Sequence, residues 1–138
     1  MAAAHNRILI VEDEPLIAME LESIVRELGA IPVGPARDLL SAKALLADGQ
    51  FDAAILDIVI GRDTSFAIAD ELSRRGRPWI FTTGYADETL DIRYPAVPVV
   101  TKPCPSGQLS ALIAQMVQGS RELDKTLPEL ENAALSSL

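Results

Sequence analysis

Four short runs in this chain lead into residues that could do chemistry together. Ile8-Leu9-Ile10-Val11 leads into Glu12-Asp13-Glu14, and Ala53-Ala54-Ile55-Leu56 into Asp57. Pro78-Trp79-Ile80-Phe81-Thr82 leads into Thr83-Gly84, and Val97-Pro98-Val99-Val100-Thr101 into Lys102-Pro103. If Glu12, Asp13 and Asp57 meet, three acids repel one another, and such a cluster is costly unless a cation is bound. An oxygen-only, mainly carboxylate donor set points to Mg²⁺, which usually keeps several waters and completes its shell with phosphate oxygen. A hydroxyl from Thr83 and an ammonium from Lys102 around the same point suit phosphoryl transfer. There the cations offset charge on the moving group and the hydroxyl orients it. Asp57 is then the nucleophile that becomes an aspartyl phosphate. Each part alone is a weak signal, since an acidic pair after a strand usually opens a solvated helix and a Lys-Pro pair is usually a loop. The joint occurrence at four run ends carries the reading.

The elements that must position these residues follow from pattern. The run ending at Asp57 is continuously apolar, as a strand buried on both faces should be. Pro15 suits the first turn of a helix, and Leu16, Ile17, Met19, Leu21, Ile24, Val25 and Leu28 give it an apolar stripe closed by Gly29. Ile31-Pro32-Val33 predicts a short second strand, placed at a sheet edge by its proline. Asp38 or Ser41 caps a second helix with Leu39, Leu40, Ala44, Leu45 and Leu46 on its buried face, and Asp48-Gly49 ends it. Residues 61–65 form a loop, and a third helix runs from about Ser65 to Arg75 with Phe66, Ile68, Ala69 and Leu72 inward. Residues 86–92 hold a short fourth helix, and Ser106 caps a fifth with Leu109, Leu112, Ile113, Met116 and Val117 on its face. Strands alternating with helices predict an α/β fold, a doubly wound parallel sheet of the flavodoxin-like (βα)5 kind with strand order 2-1-3-4-5. In that order the strand ends meet at the switch point beside Asp57. Residues 1–119 form the domain. The tail, 120–138, is expected to be partly helical and weakly packed, from Leu123, Leu127, Leu130 and Ala134 with Pro128 near a helix start.

Composition excludes several classes. The 138 residues suffice for one domain with a real core, and the 4% aromatic content makes that core aliphatic. A formal net charge of −8, with no Lys/Arg cluster, argues against nucleic acid as a partner. No apolar run approaches the roughly 20 residues of a membrane span, and the first residues lack a signal-peptide core. The single cysteine, Cys104, cannot pair internally. A cytoplasmic location, with no membrane insertion, is expected.

Ile10-Val11-Glu12-Asp13-Glu14, Leu56-Asp57, Thr83-Gly84 and Thr101-Lys102-Pro103 together resemble the receiver domain of two-component response regulators, over residues 7–118. The resemblance implies Asp57 as phosphoacceptor, and Mg²⁺ held by Glu12, Asp13, Asp57 and the backbone carbonyl of Val59. It implies phosphoryl contacts from Thr83 and Lys102 and a cis Lys102–Pro103 peptide. It also implies a histidine kinase or phosphotransfer protein as donor, and an output by phosphorylation-dependent binding of a downstream protein target or by phosphate relay. Two departures matter. Ile58-Val59-Ile60-Gly61 stands where many receivers carry Met-Pro, and Val99 stands where most carry a switch aromatic. Phe81-Thr82-Thr83-Gly84-Tyr85 instead resembles the stand-alone alphaproteobacterial group spelled Phe-x-Thr-Gly-x-Tyr (FATGUY), paired with HWE-type or related kinases. Here Tyr85 follows Gly84 directly. Gly84 and Tyr85 are accordingly expected to act as a secondary switch.

The chain is thus expected to be no metabolic enzyme, catalysing only its own phosphorylation and dephosphorylation. The alternative is a small metal-dependent phosphohydrolase of the haloacid dehalogenase type, with Asp57 as nucleophile. That class wants a second acid two residues on, where this chain has Val59.

Overall fold

Ala53–Asp57 is buried at every position, because it lies at the centre of a sheet covered on both sides. The computed structural model describes residues 6–49, 51–84, 94–103 and 105–118. In chain order the elements are β1 (Arg7–Val11), α1 (Pro15–Glu27), β2 (Ile31–Ala36), α2 (Leu39–Asp48) and β3 (Ala53–Asp57). Then come β4 (Val59–Ile60), β5 (Asp63–Thr64), α3 (Phe66–Arg74), β6 (Trp79–Thr83) and β7 (Val99–Thr101). A last helix, α4, covers residues 106–118. The main sheet has the order β2-β1-β3-β6-β7 and every neighbouring pair is parallel. Counted within that sheet alone, this is the flavodoxin-like order 2-1-3-4-5.

Strand alternation sends successive side chains to opposite layers. Leu9, Val11, Leu56 and Phe81 pack against Ala42 and Leu46 of α2 and Ile68 and Leu72 of α3. Ile8, Ile10, Ile55, Ile80 and Val100 pack against Leu21, Ile24 and Val25 of α1 and Ile113, Met116 and Val117 of α4. The sheet is therefore doubly wound, and the carboxyl ends of β1, β3, β6 and β7 emerge together at one edge.

Several sequence-based expectations are corrected in detail. Leu16 and Met19 do not join the buried stripe of α1 but stand 81% and 64% exposed, and Leu40 of α2 is likewise outward. The inward positions of α1 are Ala18, Leu21, Ile24 and Val25, a narrower stripe that fits a helix laid flat on a sheet. The cap of α2 is Asp38, whose carboxylate accepts the Ser41 N–H at 2.7 Å. Residues 61–65 are no plain loop: β4 and β5 pair as an antiparallel hairpin, Val59 with Thr64 and Ile60 with Asp63. β2 runs on to Ala36, through a register shift in which Leu9 faces Val33 but Val11 faces Ala36. Gly34 makes that shift possible with φ of 97°, and a Cβ there would lie 2.7 Å from the Ala36 nitrogen. The expected helix at 86–92 and the tail at 120–138 lie outside the described residues.

Candidate functional site

The site is built from strand ends. β1 stops where Glu12 leaves the sheet, its N–H still bonded to the Ala36 carbonyl at 3.0 Å. Pro15 starts α1 three residues later, so the acidic turn is held between a strand and a helix. Glu12 is completely buried and Asp57 is 5% exposed, while Asp13 reaches solvent. Carboxylate oxygens of Glu12, Asp13 and Asp57 lie within 4.8 Å of one another. Lys102, delivered by the end of β7, places its Nζ 2.7 Å from Glu12 Oε1 and 2.9 Å from Asp57 Oδ2. Its own N–H bonds the Thr83 carbonyl at 2.7 Å, which ties the end of β7 to that of β6. The Lys102–Pro103 peptide is cis.

The hairpin after β3 completes the wall. The Gly61 N–H donates to Asp13 Oδ2 at 3.1 Å, the Ser65 N–H bonds the Ile58 carbonyl at 2.9 Å, and the Ile58 N–H bonds the Thr82 carbonyl at 2.9 Å. Glu12 Oε2 accepts the Glu14 N–H at 3.0 Å. A cleft opens above, lined by Asp13, Asp57, Val59, Thr82, Gly84 and Lys102 among others, with Ile17 and Glu20 of α1 on its rim.

Electrostatics follow from this burial. Removal from water pushes the Glu12 carboxyl from its ordinary 4.5 up to about 7, although Lys102 and the Glu14 N–H pull the other way. Asp57 is raised for the same reason, again against the pull of Lys102. Burial works against the Lys102 charge, yet its bonds to Glu12 and Asp57 outweigh this and hold its pKa above the ordinary value. Two buried acids sharing one ammonium form an electron-rich pocket short of positive charge. Oxygen donors in that arrangement suit a hard divalent cation, so the residues present fit Mg²⁺.

The structure thus brings Glu12, Asp13, Asp57 and Lys102 together, and puts Val59 and Gly84 on the same cleft. Thr83 ends β6, 1% exposed, and is not among the cleft-lining residues. Tyr85 lies outside the described residues. Val99 is paired with Phe81 and is 38% exposed, with no ring to move. Sequence reasoning overlooked Thr82. It pairs in register with Asp57 and lines the cleft, a placement that alternation along β6 from Ile80 would have revealed.

A five-stranded parallel sheet of this order, with acids and a lysine at its strand ends, defines a receiver architecture, and the sequence model of the response regulator receiver domain matches residues 8–114. The chain belongs to that family. It is 37% identical over 114 residues to the phyllosphere-induced regulator PhyR of Methylorubrum extorquens, covering 80% of this chain and 43% of that protein. The chain therefore spans under half the length of that curated relative. Among solved structures it is similar to SdrG from Sphingomonas melonis Fr1, at 40% identity and a TM-score of 0.73, covering 83% of this chain and 98% of that one. It is also similar to the BeF3-activated conformation of SdrG from Pseudomonas melonis Fr1, at 42% identity and a TM-score of 0.64, covering 80% and 95% of the two chains. The match is to response regulators, and Val59 stands where the hydrolase alternative needs its second acid. Among the described residues no helix is long and apolar enough to cross a membrane.

Proposed function

We propose that this receiver takes a phosphoryl group from the phosphohistidine of a histidine kinase, or of a phosphotransfer protein, onto Asp57 and signals through a protein target. The observation that carries the reading is Lys102 Nζ bridging two buried carboxylates, Glu12 and Asp57, at the mouth of an acidic cleft. An ammonium in that place can leave Asp57 for the incoming phosphoryl oxygens, and a planar guanidinium would not substitute for its compact charge. Glu12, Asp13, Asp57 and the Val59 carbonyl would hold Mg²⁺, which when bound offsets negative charge on the phosphoryl oxygens. Thr83 contacts the phosphoryl group by a shift at the end of β6, and Gly84 and Tyr85 pass that shift on. Catalysis extends only to the chain's own phosphorylation and dephosphorylation, in the cytoplasm.

The donor has a surface to dock on. Leu16 and Met19 are exposed on the first turns of α1, whose Ile17 and Glu20 line the cleft. Apolar side chains one helical turn apart beside an acceptor suit the helix face of a kinase dimerisation domain, of the HWE type or a related one. Phosphotransfer from a panel of phosphohistidine-bearing kinases should single out a fast donor. Leu16→Glu with Met19→Glu should slow that transfer at least about tenfold, the weight of a few buried apolar contacts, while labelling by a small phosphodonor is unchanged. Transfer from no kinase would overturn the reading, and transfer unaffected by the two substitutions would overturn the docking surface.

A further inference from the structure

Thr82 carries a hydroxyl where the fold has no need of one. It is 3% exposed, and among the described residues its Oγ1 is buried without a hydrogen-bond partner. A buried, unpaired hydroxyl is unfavourable, and valine would fill the same β-branched shape without it. Its position says what the hydroxyl faces. Thr82 is the in-register partner of Asp57 on one side and of Val100 on the other. Paired residues of parallel strands share a face, so Thr82 lies on the Ile55, Ile80 and Val100 side, the side on which Asp57 and Lys102 enter the cleft. Thr83 has the opposite orientation along β6 and does not line the cleft.

We propose that the Thr82 hydroxyl is a positioning donor to the Asp57 carboxylate that speeds loss of the phosphoryl group. The proposal rests on Asp57 being the acceptor. In the unphosphorylated chain, Asp57 Oδ2 is occupied by Lys102. Once Lys102 turns to the phosphoryl oxygens, the carboxyl group of the aspartyl phosphate loses that partner and Thr82 is the adjacent unpaired donor. In hydrolysis, a water oxygen bonds to phosphorus as the P–O bond to Asp57 breaks. The bonding electron pair returns to the carboxylate, and the water protons leave with inorganic phosphate and solvent. A donor aimed at that carboxylate stabilises the charge that develops on it and makes it a better leaving group.

The test compares phosphoryl lifetimes. The full chain and its Thr82→Val and Thr82→Ser variants are phosphorylated with a small phosphodonor and Mg²⁺, the donor is removed, and first-order loss of label is followed. Thr82→Val should lose the group about tenfold more slowly, the effect of one hydrogen bond to a developing charge. Thr82→Ser keeps the hydroxyl without the methyl and should decay close to the parent rate. Decay of Thr82→Val at the parent rate would overturn the proposal, as would equal slowing by Val and Ser, which would mark a packing effect. A parent chain that takes up no phosphoryl group would overturn the acceptor reading itself, and a labelled parent with an unaltered Val variant would overturn this inference alone.

Discussion

Glu12 has a completely buried side chain and only one cationic neighbour among the described residues, and that neighbour is shared with Asp57. The folded chain holds the Glu12 proton up to about pH 7, whereas the unfolded chain releases it near the ordinary 4.5. A carboxyl whose pKa rises on folding binds its proton more tightly in the folded state. Its contribution to stability is then fully present below 4.5 and is lost as pH rises through about 7. In buffer without divalent cations, the unfolding temperature of the parent should fall across that window relative to Glu12→Gln, which has no proton to lose. The gap at pH 8 should be roughly 5 °C, the scale of a 1 kcal/mol effect in a domain of this size. Parallel curves for parent and variant would show that burial does not strain Glu12. The acids, the lysine and their convergence were legible in the sequence because run ends in a doubly wound sheet meet at one edge. Thr82 was not singled out, because a threonine inside a strand has an ordinary packing explanation until its register with Asp57 is known.

At the scale of elements, β2 shows what pattern alone cannot carry. Ile31-Pro32-Val33 predicts only a short, three-residue edge strand. The strand instead continues to Ala36, because Gly34 takes a backbone angle that lets the chain step past β1 and resume pairing. That continuation matters to the site, since the Ala36 carbonyl receives the N–H of Glu12. Two glycines separate backbone strain from steric conflict. Gly29, at φ 79°, has open space where a Cβ would go, but at Gly34 that Cβ would also lie 3.0 Å from the Ile10 carbonyl oxygen. Gly29→Ala should therefore cost about 1 kcal/mol in urea unfolding, and Gly34→Ala at least about 2 to 3 kcal/mol. Equal costs would mean that β2 yields without consequence. The β4–β5 hairpin escaped sequence reading for a simpler reason: two-residue strands are too short to show alternation. The outward turn of Leu16 and Met19 escaped it because hydrophobicity alone does not say which of seven apolar positions a flat sheet will cover.

For the whole molecule, the topology was the most legible feature. Alternating apolar runs and amphipathic stretches leave few right-handed arrangements, and the fully buried β3 had to be central. That topology brings three carboxylates and an ammonium to a single edge, with an exposed apolar turn of α1 alongside. The central claim is that Asp57 accepts a phosphoryl group. Its most direct test is the intact mass of the chain after incubation with a small phosphodonor and Mg²⁺, beside that of Asp57→Asn, whose amide keeps the shape without the nucleophile. The parent should gain the mass of one phosphoryl group, labile to acid treatment and hydroxylamine, and the variant should gain none. A variant that takes up the group as fully as the parent would contradict the account.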